Sequence, residues 1–169
     1  MPKLSKLVGK PIISADTGER IGKVSDVLLD LPSQHVIGLV VAGGVLNSEH
    51  VLPYADVQTL GKDAVVARAG TRVVSPKEWR KQAIHTTRAS TLKHRRVLTR
   101  SGRALGEIHD VLLDDAGSVE AFEVTGSTLG AVLHRRSMLP QTGGITVGAD
   151  AVLVPDETAA AMEQSRKSS

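Results

Sequence analysis

The sequence predicts an all-β protein built as two tandem small six-stranded β-barrels, each followed by a short helix. Three observations predict it. A thirteen-residue pattern occurs twice: Gly18, three residues, Gly22, Val24, then Asp26, Val27, Leu28, Leu29 and Asp30 are matched by Gly102, three residues, Gly106, Ile108, then Asp110, Val111, Leu112, Leu113 and Asp114. Such a coincidence in a short chain indicates duplication of one folding unit. Short valine- and isoleucine-rich runs alternate with Gly, Asp and Pro turns, the signature of many short strands. Finally, 169 residues divide naturally into two units of roughly 80 residues.

In chain order, Leu7, Val8, Ile12 and Ile13 lead into Asp16-Thr17-Gly18 and predict a first strand and a hairpin turn. Between Arg20 and Asp30 the apolar positions Ile21, Val24, Val27, Leu28 and Leu29 follow neither a period of two nor a helical stripe. Gly22 and the short length favour a strand, with a bulge near Ser25-Asp26 where the phase slips. Pro32-Ser33-Gln34 is a turn, and residues 36–41 form a β-branched run suited to a strand with little exposure. Val51-Leu52-Pro53 predicts a short strand at an edge or end, because proline cannot donate to a ladder. Residues 57–60, the turn Gly61-Lys62-Asp63 and residues 64–67 make a closing hairpin. Curling these strands into a barrel removes unpaired edges.

Ser75-Pro76-Lys77-Glu78 is a helix start, with Ser as N-cap and Pro at the first helical position, and predicts a helix to about His85. Residues 86–91 lack periodicity and read as a linker. The second copy repeats the order through Val97-Leu98, Ser101-Gly102, residues 119–124, Met138-Leu139-Pro140 and the hairpin at Gly148 to Val152. Pro155-Asp156-Glu157 then opens an alanine-rich helix, and the tail from Gln164 is expected to be disordered. The expected organisation is a first barrel over 1–74, helix and linker over 75–91, a second barrel over 92–155, and a helix and tail over 156–169.

Composition narrows the function classes. Hydrophobic residues make up 41% and charged residues 23%, as in ordinary globular proteins, and no apolar run is long enough to span a bilayer. With no signal-peptide pattern and no Cys, a cytoplasmic protein without disulfides or thiolate metal sites is expected. The net charge is only +3, with the excess in residues 75–91, which hold four Lys/Arg against one Asp/Glu. Trp79, Tyr54 and Phe122 are the only aromatic residues, too few for base-stacking platforms of the kind single-strand binders use.

The strand leading into Gly-x-x-x-Gly, the Asp-Val-Leu-Leu-Asp segments, the Leu-Pro strands and the terminal hairpins together resemble the PRC-barrel domain, found in the photosynthetic reaction-centre H subunit and at the end of a bacterial ribosome-maturation factor. The chain looks like two such domains in tandem, over about residues 4–74 and 92–155. The resemblance implies six-stranded barrels that bind other proteins rather than catalyse. It carries over no binding residue, because the matched positions are turns and core.

The candidate chemistry is sparse. Gly18, Gly22, Gly102 and Gly106 are expected at turns and bulges, Asp30 and Asp114 at turn starts, and Asp26 and Asp110 bonded to backbone at a bulge. EF-hand spacing is absent, the six His residues do not cluster, and no metal or cofactor is expected. Ser101, His109 and Asp110 do not suggest a triad, since neighbours in a strand point to opposite faces. One feature goes beyond the barrel: Arg95-Arg96 and Arg135-Arg136 in the second copy, an anion-binding patch for RNA phosphate or an acidic protein surface. The function expected is a non-enzymatic protein-binding adaptor or assembly module, with an RNA- or ribosome-associated factor as the alternative. A pseudo-two-fold pairing of the two barrels within the chain is also expected, with homodimerisation left open.

Overall fold

The β-branched runs and Gly/Asp turns fold as strands and tight connections in a computed structural model, which describes residues 2–43, 48–83, 85–126, 136–140 and 144–167, with side chains to residue 162. Two units result, the first over residues 2–90 and the second beginning at Thr91. Each holds a curled sheet with six strands in the same spatial order, to which the first adds a short seventh.

In the first unit Leu4 and Leu7 are three apart and both buried, so the chain enters through a helical turn, α1 (Leu4–Leu7), rather than extending the first strand. Strands β1 (Pro11–Ser14), β2 (Arg20–Asp30), β3 (His35–Ala42), β4 (His50–Pro53), β5 (Val57–Leu60) and β6 (Val65–Ala67) follow, and their order across the sheet is β4-β3-β2-β1-β6-β5. Pro53 ends the edge strand, where its missing N–H costs no ladder bond. Strands β1 and β6 run parallel, with Ile12 opposite Val65, a pairing that apolar periodicity does not reveal.

The irregular spacing of β2 has a structural cause. Its register against β3 passes from Val24↔Val41 to Asp26↔Val40, leaving Ser25 as the extra residue of a bulge. Val24 and Val27 thereby both point inward and are fully buried, while Asp26 and Leu28 share the outer face with Val40.

That outer face is covered by α2 (Pro76–Gln82), whose N-cap Ser75 Oγ accepts from the Glu78 N–H at 3.2 Å. Trp79 packs on Leu28, Val40 and Val51. A Cβ on Gly38 would lie 3.2 Å from Trp79 Cη2 and 2.9 Å from Val51 Cγ1, so glycine is what lets the indole approach β3. The helix ends at Gln82, short of the expected His85, because Ala83 turns to an extended backbone. Residues 86–91 are not a bare linker: Thr87–Arg88 form β7, which pairs with Leu29 and Leu28. Strand β2 outlasts β1, and β7 supplies partners to the edge so exposed.

The second unit repeats the plan. After α3 (Ala89–Leu92) come β8 (Arg96–Thr99), β9 (Ala104–Leu113), β10 (Val119–Thr125), β11 (Arg136–Pro140), β12 (Thr146–Val147) and β13 (Ala151–Val154). They are ordered β11-β10-β9-β8-β13-β12, again with a parallel pair, β8 and β13. The bulge recurs with His109 as the extra residue between Ile108↔Val124 and Asp110↔Glu123. Phe122, Ile108, Leu113, Leu139 and Val152 fill the interior, each at most 1% exposed. Helix α4 (Asp156–Lys167) closes the unit and stays helical past Gln164, where the sequence suggests a disordered tail; Ser168 and Ser169 lie outside the described residues. Among the described residues no helix is long and apolar enough to cross a membrane.

Candidate functional site

Of the arginines singled out in the sequence, Arg95, Arg96 and Arg136 fall among the described residues, and each has its own surroundings. Arg95 is half-buried and donates through Nη1 to the Gly148 carbonyl at 2.8 Å and through Nη2 to the Thr91 carbonyl at 3.0 Å, tying the start of β8 to the β12–β13 turn. Arg136 places Nε 3.2 Å from Oε1 of the buried Glu123, with His109 Nε2 at 3.8 Å from the same oxygen. Arg96 is exposed on β8, and Arg135 lies outside the described residues. Thus Arg95 and Arg136 already serve acceptors of their own unit, which leaves less of the expected patch for a foreign anion. Ser101 bonds to Thr99 and Asp156 while His109 faces Glu123, so no nucleophile–base pair forms there.

The repeat aspartates act on the backbone. Asp26 Oδ1 accepts from the Val27 N–H at 2.8 Å, and Asp110 Oδ1 from the Val111 N–H at 2.9 Å. Asp114 Oδ1 accepts from the N–H groups of Ala116 and Ser118, stapling the β9–β10 turn; Asp30 accepts through its carbonyl from Ser33 Oγ. Gly18 and Gly102 take positive φ in the hairpin turns. Asp26 does more: it is 5% exposed and also receives the Ser90 N–H at 3.2 Å and the Ser90 hydroxyl at 2.5 Å, with Arg88 Nη1 at 3.8 Å. Asp26→Ala is expected to lower the stability of the first unit by about 2 kcal/mol, since bonds to a buried carboxylate are the stronger ones; urea unfolding followed by Trp79 fluorescence checks it.

Two exposed carboxylates set an acid limit. Backbone and hydroxyl bonds from Ser101 hold Asp156 below the usual carboxylate range, and the Ser14 hydroxyl does the same for Asp16. A depressed folded pKa contributes stability that is present above the unfolded value and lost as pH falls through the folded one. The urea midpoint should therefore fall below about pH 4, and less steeply in Asp156→Asn.

The outer face of the first unit carries a cleft of about 570 Å³. Leu28, Val40, Val51 and Trp79 supply its apolar lining, and Arg80 and His50 are among its polar lining residues. Within the lining, Arg88 Nη2 donates to Glu49 Oε2 at 2.8 Å, a pair that raises the Arg88 pKa further. Both partners are about half exposed, at 46% and 48%. Trp79 is 8% exposed, and its Nε1–H has no acceptor among the described residues. Sequence reading missed this cleft. Its only local signal is a lone Trp on a short helix, and Glu49 and Arg88 are 39 residues apart.

The profile of the PRC-barrel domain matches the chain twice, at residues 2–74 and 85–160. The chain belongs to the PRC-barrel family. No curated protein matches it. As a tandem PRC-barrel protein it offers an internal comparison, because the two registers align position by position. In the first barrel the outer face pairs Asp26 with Val40 and Val40 with Val51; in the second the same places hold Asp110, Glu123 and Met138. Gly38, under Trp79, becomes Ala121. One PRC-barrel therefore presents an apolar cleft with a tryptophan, and the other a buried carboxylate pair beside an exposed methionine, Met138 at 39%.

Proposed function

We propose that this tandem PRC-barrel protein is a non-enzymatic protein-binding adaptor or assembly module, acting in the cytoplasm. The observation that carries the reading is the divergence of the outer faces. Interior positions keep their character between the copies, Leu39 and Phe122 or Val24 and Ile108, whereas the facing position outside changes from Val40 to Glu123. The barrel can be built with either surface, so neither is dictated by folding, and two unlike surfaces on one chain suit a molecule that brings different partners together. The polar groups support the same reading, since Asp26, Asp114 and Arg95 bond to backbone rather than meeting around a reacting centre.

Affinity capture from native lysate is expected to recover a protein partner that is lost when the second outer face is altered by Met138→Glu and kept when Lys77, an exposed residue of the first unit's α2, is changed to Glu. Recovery of the same proteins by wild type and Met138→Glu would remove that face from the interaction. The alternative, an RNA- or ribosome-associated factor, predicts a low-salt mobility shift that weakens in Arg96→Ala and steeply with salt. With Arg95 and Arg136 held by acceptors of their own unit, no such shift is expected.

A further inference from the structure

The cleft of the first barrel carries an inference beyond protein binding. Its size lies in the range of small-molecule sites, roughly 300–1,000 Å³, and its lining combines an apolar side with a few polar groups of definite chemistry. Trp79 Nε1–H is a buried donor without an acceptor among the described residues, and a buried donor left so is unfavourable. Arg80, Arg88 and His50 border the same cleft, with Glu49 as the acidic group among the lining residues. Glu49 accepts from Arg88 at 2.8 Å.

We propose that this cleft binds a small apolar monocarboxylic acid, whose carboxylate replaces Glu49 on the Arg88 guanidinium while its hydrocarbon body rests on Leu28, Val40 and Trp79. The exchange is inexpensive: the Glu49–Arg88 pair is half exposed, and pairs in that setting are weak. What the ligand adds is a charge-assisted bond to the same guanidinium together with apolar contact that Glu49 does not supply. The second barrel has Glu123 where the first has Val40, and a carboxylate there repels an anionic ligand, so the site belongs to the first copy alone.

The chain has one tryptophan, Trp79, so its emission reports the cleft directly. The full chain is titrated with octanoate and decanoate, and with 1-octanol as the uncharged comparison. Both acids should change the emission saturably, and 1-octanol should bind more weakly. Arg88→Gln should weaken decanoate about tenfold or more, the consequence of losing a charged partner. Glu49→Gln, which removes the competitor, should strengthen it several-fold. The opposite signs separate the proposal from general damage, because a loosened fold does not bind more tightly. No saturable change with either acid, equal binding of 1-octanol, or unchanged affinity in Glu49→Gln would overturn it.

Discussion

Phe122→Ala should destabilise the second barrel by about 4 kcal/mol, the cost of removing an aromatic side chain from a core that cannot collapse around the gap. Phe122 is 1% exposed and heads the fully buried side chains in volume. It sits mid-strand on β10 between Val111 on β9 and Leu139 on β11, so the paired strands on either side hold its backbone in place while its removal empties part of the interior. The first barrel supplies the control. There the equivalent residue is Leu39, fully buried between Val27 and Leu52, so the fold accommodates leucine at this place. Phe122→Leu should therefore cost much less, about 1–2 kcal/mol. Urea unfolding followed by far-ultraviolet circular dichroism measures both. Equal losses in the two variants would mean that the site responds to any change, rather than to the volume removed.

How much was legible in advance depended on how local each signal is. The bulge in β2 could be read because Val24 and Val27 break a period of two within four residues, and the register confirms one extra residue there and again at His109. The Ser75 cap and the Leu-Pro edge strand were legible for the same reason, each being a statement about one turn of chain. The parallel pairs β1–β6 and β8–β13 were not, since Ile12 and Val65 meet across more than fifty residues and nothing in either strand names the other. The arginines show how little adjacency in sequence says about surroundings. Arg95, just before β8, donates to the Gly148 carbonyl, while Arg96, the first residue of β8, is exposed. The first-barrel cleft is written in separated residues, one from the β3–β4 connection, one from α2 and one from β7. Only the fold brings Glu49, Trp79 and Arg88 together.

The repeat glycine gives the other large effect: Gly106→Ala should cost the second barrel about 4 kcal/mol or more, through strain and overlap that act together. Gly106 has φ +141, a conformation that L side chains rarely adopt. A Cβ there would stand 2.4 Å from the Thr125 carbonyl oxygen, and this is backbone, with no flexible end to swing aside. Nor can the opposite strand retreat freely. Gly126 faces the same point at φ +144, and its own Cβ would lie 2.7 Å from the Gly106 Cα, so the two strands meet here without side chains. The contact lies beside the irregular step in the β8–β9 register, where Val97 opposes Gly106 and Leu98 opposes Ala104. Separating β9 from β10 at this end would disturb both neighbours of β9. In the first barrel Gly22 is also crowded, with a Cβ 2.7 Å from Val41 Cγ1 and 2.8 Å from the Ala42 carbonyl oxygen, but its φ is not in the positive range. Gly22→Ala should therefore destabilise by less, about 2 kcal/mol, because overlap acts without the conformational penalty. Amide hydrogen exchange along β9 and β10 resolves the effect by location: exchange should accelerate throughout both strands in Gly106→Ala. Protection equal to wild type at Ile108 and Val124 would show that the backbone absorbs the methyl group, and that this glycine marks the repeat without being required by it.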